Sequence, residues 1–141
     1  MTPITFFQED IAFELPDPDD TSNWINSVLK KEGAYIDYLN FIFCSDAYLH
    51  QINIEYLNHD TLTDIVTFDN SDNPDRIEGD IFISIERIKD NGQSFDTSFD
   101  EELHRVIIHG VLHLIGFNDK TDEEKSIMRE KEEACLSLRN K

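Results

Sequence analysis

His109 and His113 stand four residues apart in the run His109-Gly110-Val111-Leu112-His113-Leu114-Ile115-Gly116-Phe117-Asn118-Asp119, and Asp119 adds a third ligand-type side chain just beyond a glycine. Side chains at i and i+4 share one helix face about 5–6 Å apart at Cβ, so both imidazoles can converge on one ion. Gly116 can take the left-handed conformation that ends a helix and turns the chain back, which would bring Asp119 to the same place. Two neutral imidazoles and a carboxylate suit one zinc ion, with another divalent metal as the alternative. Three protein ligands leave the fourth tetrahedral position for water, as hydrolysis requires.

A histidine in an apolar helix is ordinarily a hydrogen-bonded core residue. From Leu103 to Ile115 the sequence is apolar nearly all round, so two rings without partners there would each lose roughly 1–3 kcal/mol of solvation. Shared coordination removes that loss, and with Gly116 and Asp119 in step the pair reads as a metal site. Gly110 limits what kind. Zinc proteases of the His-Glu-x-x-His type place their general base directly after the first histidine, and glycine carries no carboxylate. His109, His113, Gly116 and Asp119 still follow the spacing of the metzincin pattern, so a metzincin-like protease is the weakest of three functional alternatives.

The same eleven residues resemble the signature of the YbeY family, His-Gly-x-Leu-His-Leu-x-Gly-Tyr-Asp-His. Upstream, Thr63-Asp64-Ile65-Val66-Thr67-Phe68 looks like that family's Thr-Asp-Val-Leu-Ser-Phe strand and Gly79-Asp80-Ile81 like its Gly-Asp-Ile strand, so the resemblance runs from about Asp46 onward. It implies a small α+β domain holding one metal, usually taken as zinc. It also implies single-strand-specific endoribonuclease activity in rRNA maturation and quality control of the small ribosomal subunit. Two positions depart from the pattern. Asp119 replaces a third histidine, which keeps a zinc donor but adds negative charge and weakens the Lewis acid. Leu57 stands where the family tends to carry arginine, and leucine cannot hold a phosphate by paired hydrogen bonds. Leu57, together with the acidic balance of the chain, favours the second alternative, a non-catalytic ribosome-assembly factor with a structural metal.

The chain has 141 residues, 39% of them hydrophobic and ten of them phenylalanine, which suits a single domain over residues 1–141 with a sizeable core. No stretch is long and apolar enough to span a bilayer, and Met1-Thr2-Pro3-Ile4-Thr5-Phe6 lacks the start of a signal peptide, so a cytoplasmic location is expected. Cys44 and Cys135 lack metal-type spacing and read as reduced and structural. Thirty acidic against twelve basic residues give a net charge of −18, which should repel naked RNA. Either the basic residues gather on one face, or rRNA is met within the small ribosomal subunit beside its basic proteins; neither DNA nor a membrane is an expected partner.

The elements that must position the site alternate along the chain. Ile4–Phe13 reads as a strand, then Trp24, Ile25, Val28 and Leu29 as a helix that follows Asp20-Thr21-Ser22 and ends near Gly33. Tyr35–Cys44 is a second strand, followed by a helix capped by Ser45 or Asp46 with Tyr48, Leu49, Ile52 and Tyr56 on its core face. Two more strands are expected over Asp64–Phe68 and Ile77–Ile85. Between them Asp69-Asn70-Ser71-Asp72-Asn73-Pro74-Asp75 reads as a solvated turn, because proline occupies the glycine position of a calcium loop. Ser98-Phe99-Asp100-Glu101 and Thr121-Asp122-Glu123-Glu124 are capping boxes that open the histidine helix and a last helix to about Leu138. The expected architecture is α+β: a mixed, mostly four-stranded sheet with packed helices, the His-bearing helix central. No general base can be named; Asp64 and Asp80 match strand motifs that can serve structure alone, and His59 is the extra cleft candidate ahead of His50 and His104.

Overall fold

The computed structural model describes residues 3–58, 63–73 and 76–139. The elements run β1 (Ile4–Gln8), α1 (Pro18–Lys31), β2 (Tyr35–Cys44), α2 (Asp46–Leu57), β3 (Ile65–Asp69), β4 (Arg76–Ser84), α3 (Ile85–Ser94), α4 (Phe99–Leu114) and α5 (Asp122–Ser137). The sheet order is β1-β2-β4-β3, with β1, β2 and β4 parallel and β3 antiparallel at the edge. The expected α+β class with a mixed four-stranded sheet is therefore present.

Strand periodicity sorts the sheet into two unequal faces. Leu39, Phe41, Phe43, Ile77, Ile81 and Ile83 point into the main core with Ile25 and Leu29 of α1 and Leu103, Ile107 and Val111 of α4. Cys44, Val66, Leu49 and Ile52 form a smaller core on the other face, where α2 lies against Phe68 and Phe82. Gly110 lies where α4 packs tightly on the sheet, since a Cβ there would stand 2.9 Å from Ile65 Cδ1 and 3.0 Å from Ile81 Cδ1. Close approach of helix to sheet is thus a packing reason for the glycine between the histidines.

Several boundaries differ from the sequence reading. β1 stops at Gln8, because Asp10 turns the chain with φ of 43° and accepts from Ser45 N and Oγ at 3.0 and 2.6 Å. Phe13 fills the core from a loop, edge-on to Phe43 and Phe99. α1 begins at Pro18, a residue suited to a first turn, so Thr21 and Ser22 are buried inside the helix instead of preceding it. Tyr56 is 68% exposed, edge-on to Phe68 at the rim of the small core. Ile85 opens α3 instead of closing β4, with the Ser84 hydroxyl accepting from Arg87 N at 3.1 Å. The α3 helix is weakly marked in the sequence because, of its buried residues Ile85, Ile88 and Gly92, only two carry apolar side chains.

Candidate metal centre

α4 begins where the Ser98 hydroxyl accepts from Glu101 N at 3.0 Å, and Asp100, Glu101 and Glu102 complement the positive end of its dipole. Of the capping box expected there, this serine half is the part seen; at Thr121 and Glu124, opening α5, both halves form. α4 ends at Leu114. Gly116 follows with φ of 109°, donating to His113 O, and Phe117 N donates to Leu112 O at 3.0 Å. This glycine-centred reversal returns the chain so that Asp119 faces the helix it has just left.

The three ligand-type side chains converge. His109 Nε2 and His113 Nε2 are 3.0 Å apart, and Asp119 Oδ2 lies 3.3 Å from the first and 3.5 Å from the second. Donors bound at about 2.0–2.1 Å around a tetrahedral zinc ion stand about 3.3 Å from one another, so these spacings fit such an ion. Core histidines have their ring nitrogens engaged separately; here two Nε2 atoms and a carboxylate oxygen share one focus.

Glu132 of α5 completes the arrangement, and sequence reasoning missed it. Its Oε2 accepts from His109 Nδ1 at 2.6 Å and its Oε1 from Arg105 Nη1 at 3.1 Å, with only 5% of the residue exposed. A carboxylate on Nδ1 fixes the tautomer that turns the Nε2 lone pair outward, as second partners of ligating histidines do. The available signal was local: Met128, Glu132 and Cys135 are the buried positions of α5, and a glutamate on such a stripe needs a partner. Burial pulls the His109 pKa down, but the hydrogen bond and charge of Glu132, with Asp119 and Asp64, outweigh it and leave the imidazole above its usual value.

The cluster opens into a cleft of about 280 Å³ lined by Asp64, Phe95, Arg105, His109, Asp119 and Arg129, among others. Asp64 is raised above the usual carboxylate range, by burial before any other cause, and accepts from Asn91 Nδ2 at 3.3 Å. Asp80 is elsewhere. It accepts from Asn40 and Asn70 and lines a groove with Tyr48, Tyr56 and Phe82 on the α2 side of the sheet, which gives it no place in the cleft.

His104 is buried with its ring engaged by Thr21 and Asp100, and His50 lies on α2; His59 lies outside the described residues, as do Pro74 and Asp75 of the expected turn. Leu57 is exposed at the end of α2. Both cysteines are buried free thiols, with Cys44 pushed up to about 12 by burial, which disfavours the thiolate a metal would need. The arginines at 76, 87, 105, 129 and 139 each lie within ion-pair distance of a carboxylate, with Arg105 and Arg129 both facing Glu132 Oε1.

The family model described as Endoribonuclease YbeY matches residues 4–140. A protein named Endoribonuclease YbeY from Cytophaga hutchinsonii is 54% identical over 136 residues, covering 96% of this chain and 95% of that one. Its namesake from Christiangramia forsetii is 52% identical over 135 residues, covering 96% and 93%. A Thermotoga maritima protein solved in solution shares the fold with a TM-score of 0.68 at 25% identity, covering 96% of this chain and 88% of that one.

Proposed function

Because this chain belongs to the YbeY endoribonuclease family, we propose that it is a zinc-dependent, single-strand-specific endoribonuclease of rRNA maturation and small-subunit quality control. It would act in the cytoplasm as one domain over residues 1–141, with His109, His113 and Asp119 as the ligand set. The observation that carries this reading is the meeting of three donor atoms at 3.0 to 3.5 Å while the outer nitrogen of His109 is held by Glu132.

His109, His113 and Asp119 would hold the zinc ion, which would supply Lewis acidity toward a phosphoryl oxygen or a water molecule. The protein's part is positioning. Glu132 keeps the His109 ring in one tautomer, and the Arg105 guanidinium balances the carboxylate that does so. Asp119, carried by the turn after Gly116, closes the set from the solvent side and leaves the cleft open toward substrate. Gly110 meets Ile65 and Ile81, so the position after His109 faces the sheet and has no room for a protease's glutamate.

The acidic balance of the chain, with a net charge of −18, favours rRNA presented by the small ribosomal subunit and its basic proteins over capture of naked RNA. No helix among the described residues is long and apolar enough to cross a membrane. Cleavage of one RNA sequence as a single strand and as a duplex, with and without chelator, tests the proposal. Single-strand cleavage that chelation stops and zinc restores is expected. Zinc-loaded protein that cleaves neither form, yet unfolds when stripped, would make the metal structural and the protein an assembly factor.

A further inference from the structure

Phe95 caps the C-terminal end of α3 and is 63% exposed. Its ring contributes little to the core, yet it lines the cleft that holds His109 and Asp119. On the same cleft, Arg129 of α5 keeps 61% of its side chain in solvent, and its carboxylate neighbours Glu132 and Glu133 stand no closer than 3.8 and 3.9 Å. Arg105, the other guanidinium of this cleft, is different. Its side chain is 15% exposed and bonded to Glu132 at 3.1 Å, with Glu102 at 3.9 Å.

Arg105 is therefore engaged in holding the carboxylate behind His109, whereas Arg129 can turn outward. An exposed aromatic face beside an outward cation is what an unpaired nucleotide needs, one base to stack and one phosphate to pair. A duplex keeps its base faces covered by neighbouring pairs and offers nothing for the ring.

We propose that Phe95 and Arg129 grip a single-stranded RNA segment at the mouth of the metal cleft, Phe95 stacking on a base and Arg129 pairing with a backbone phosphate. This inference rests on the RNA-cleaving reading above. It supplies the phosphate contact that Leu57 cannot make and the single-strand preference that the metal ligands alone do not explain.

The test is fluorescence anisotropy of zinc-loaded protein with a phosphorothioate oligoribonucleotide, whose linkages keep their charge but hydrolyse slowly, over a range of salt, beside cleavage kinetics on the unmodified strand. Phe95→Ala should weaken binding about tenfold and Phe95→Trp should restore it, since any broad ring can stack. Arg129→Ala should flatten the slope of log affinity against log salt by about 0.7, and Arg129→Lys should keep it. In cleavage, KM should rise while kcat holds. If the wild type cleaves single strands while Phe95→Ala and Arg129→Ala bind within about twofold of it, the grip is wrong and the ribonuclease reading stands. Equal loss in Phe95→Trp would mark the residue as structural and also overturn the grip. If the wild type neither binds nor cleaves single-stranded RNA, both readings fall together.

Discussion

α4 carries three histidines in two settings. Near its start the His104 ring lies 5.7 Å from Trp24, donates through Nδ1 to Asp100 O at 2.8 Å and pairs through Nε2 with Thr21 Oγ1 at 3.3 Å. Both nitrogens are engaged within the fold, and burial holds its pKa below the usual value. Farther along, His109 has one nitrogen on Glu132 and the other directed at His113 and Asp119. A histidine becomes a ligand when the fold occupies one ring nitrogen and leaves the second at a shared focus; a fold that satisfies both makes it a clasp between helices.

The largest test of that contrast is metal content. Untagged protein purified without added metal should carry about one equivalent of zinc by elemental mass spectrometry, His113→Ala should carry little, and His104→Gln should match the wild type. Equal content in wild type and His113→Ala would sink the ligand assignment; loss in His104→Gln would erase the distinction between the two settings. A smaller effect isolates the outer partner. Glu132→Gln keeps shape and can still bond to His109 but removes the charge facing Nδ1 and Arg105, so zinc affinity by chelator competition should fall about 10- to 100-fold. Affinity equal to the wild type would show that Glu132 serves only the ion pair with Arg105.

What could be read from the sequence depended on how local the physics is. The helix-terminal serine and threonine caps, the turn at Gly116 and the i, i+4 histidines obey rules spanning a few residues, and the strand over Tyr35–Cys44 is long enough to declare itself. Glu132 lies 23 positions from His109 and is joined to it only by the packing of α5 on α4, so the stripe Met128, Glu132 and Cys135 signals a need for a partner without naming it. Asp64 and Asp80 looked alike as strand-motif carboxylates; Asp64 just before β3 lines the cleft, whereas Asp80 within β4 points to the α2 side of the sheet. Tyr56 fits the apolar spacing of α2, yet the helix runs past the edge of the small core and leaves the ring in solvent.

The smallest effect concerns the clasp, and there acid should loosen what it leaves alone in the His104→Gln protein. In the unfolded chain the imidazole titrates near its ordinary 6.5, whereas in the fold burial lowers that value, helped by the Arg139 guanidinium and opposed by the carbonyl and carboxylate of Asp100. Between the two pKa values the unfolded chain holds a proton that the folded protein does not, so stability rises with pH across that window. The contribution of neutral His104 is intact above about pH 6.5 and is lost as the pH falls below it, at no more than about 1.4 kcal/mol per pH unit, until the folded-state value is passed. Thermal melts of zinc-saturated wild type and His104→Gln should therefore converge as the buffer moves from about pH 7.5 to about pH 5, since groups common to both proteins cancel in the difference. A gap between the two melting curves that does not change with pH would mean that His104 is already able to take up a proton in place, and that the two settings on α4 differ less than their hydrogen bonds indicate.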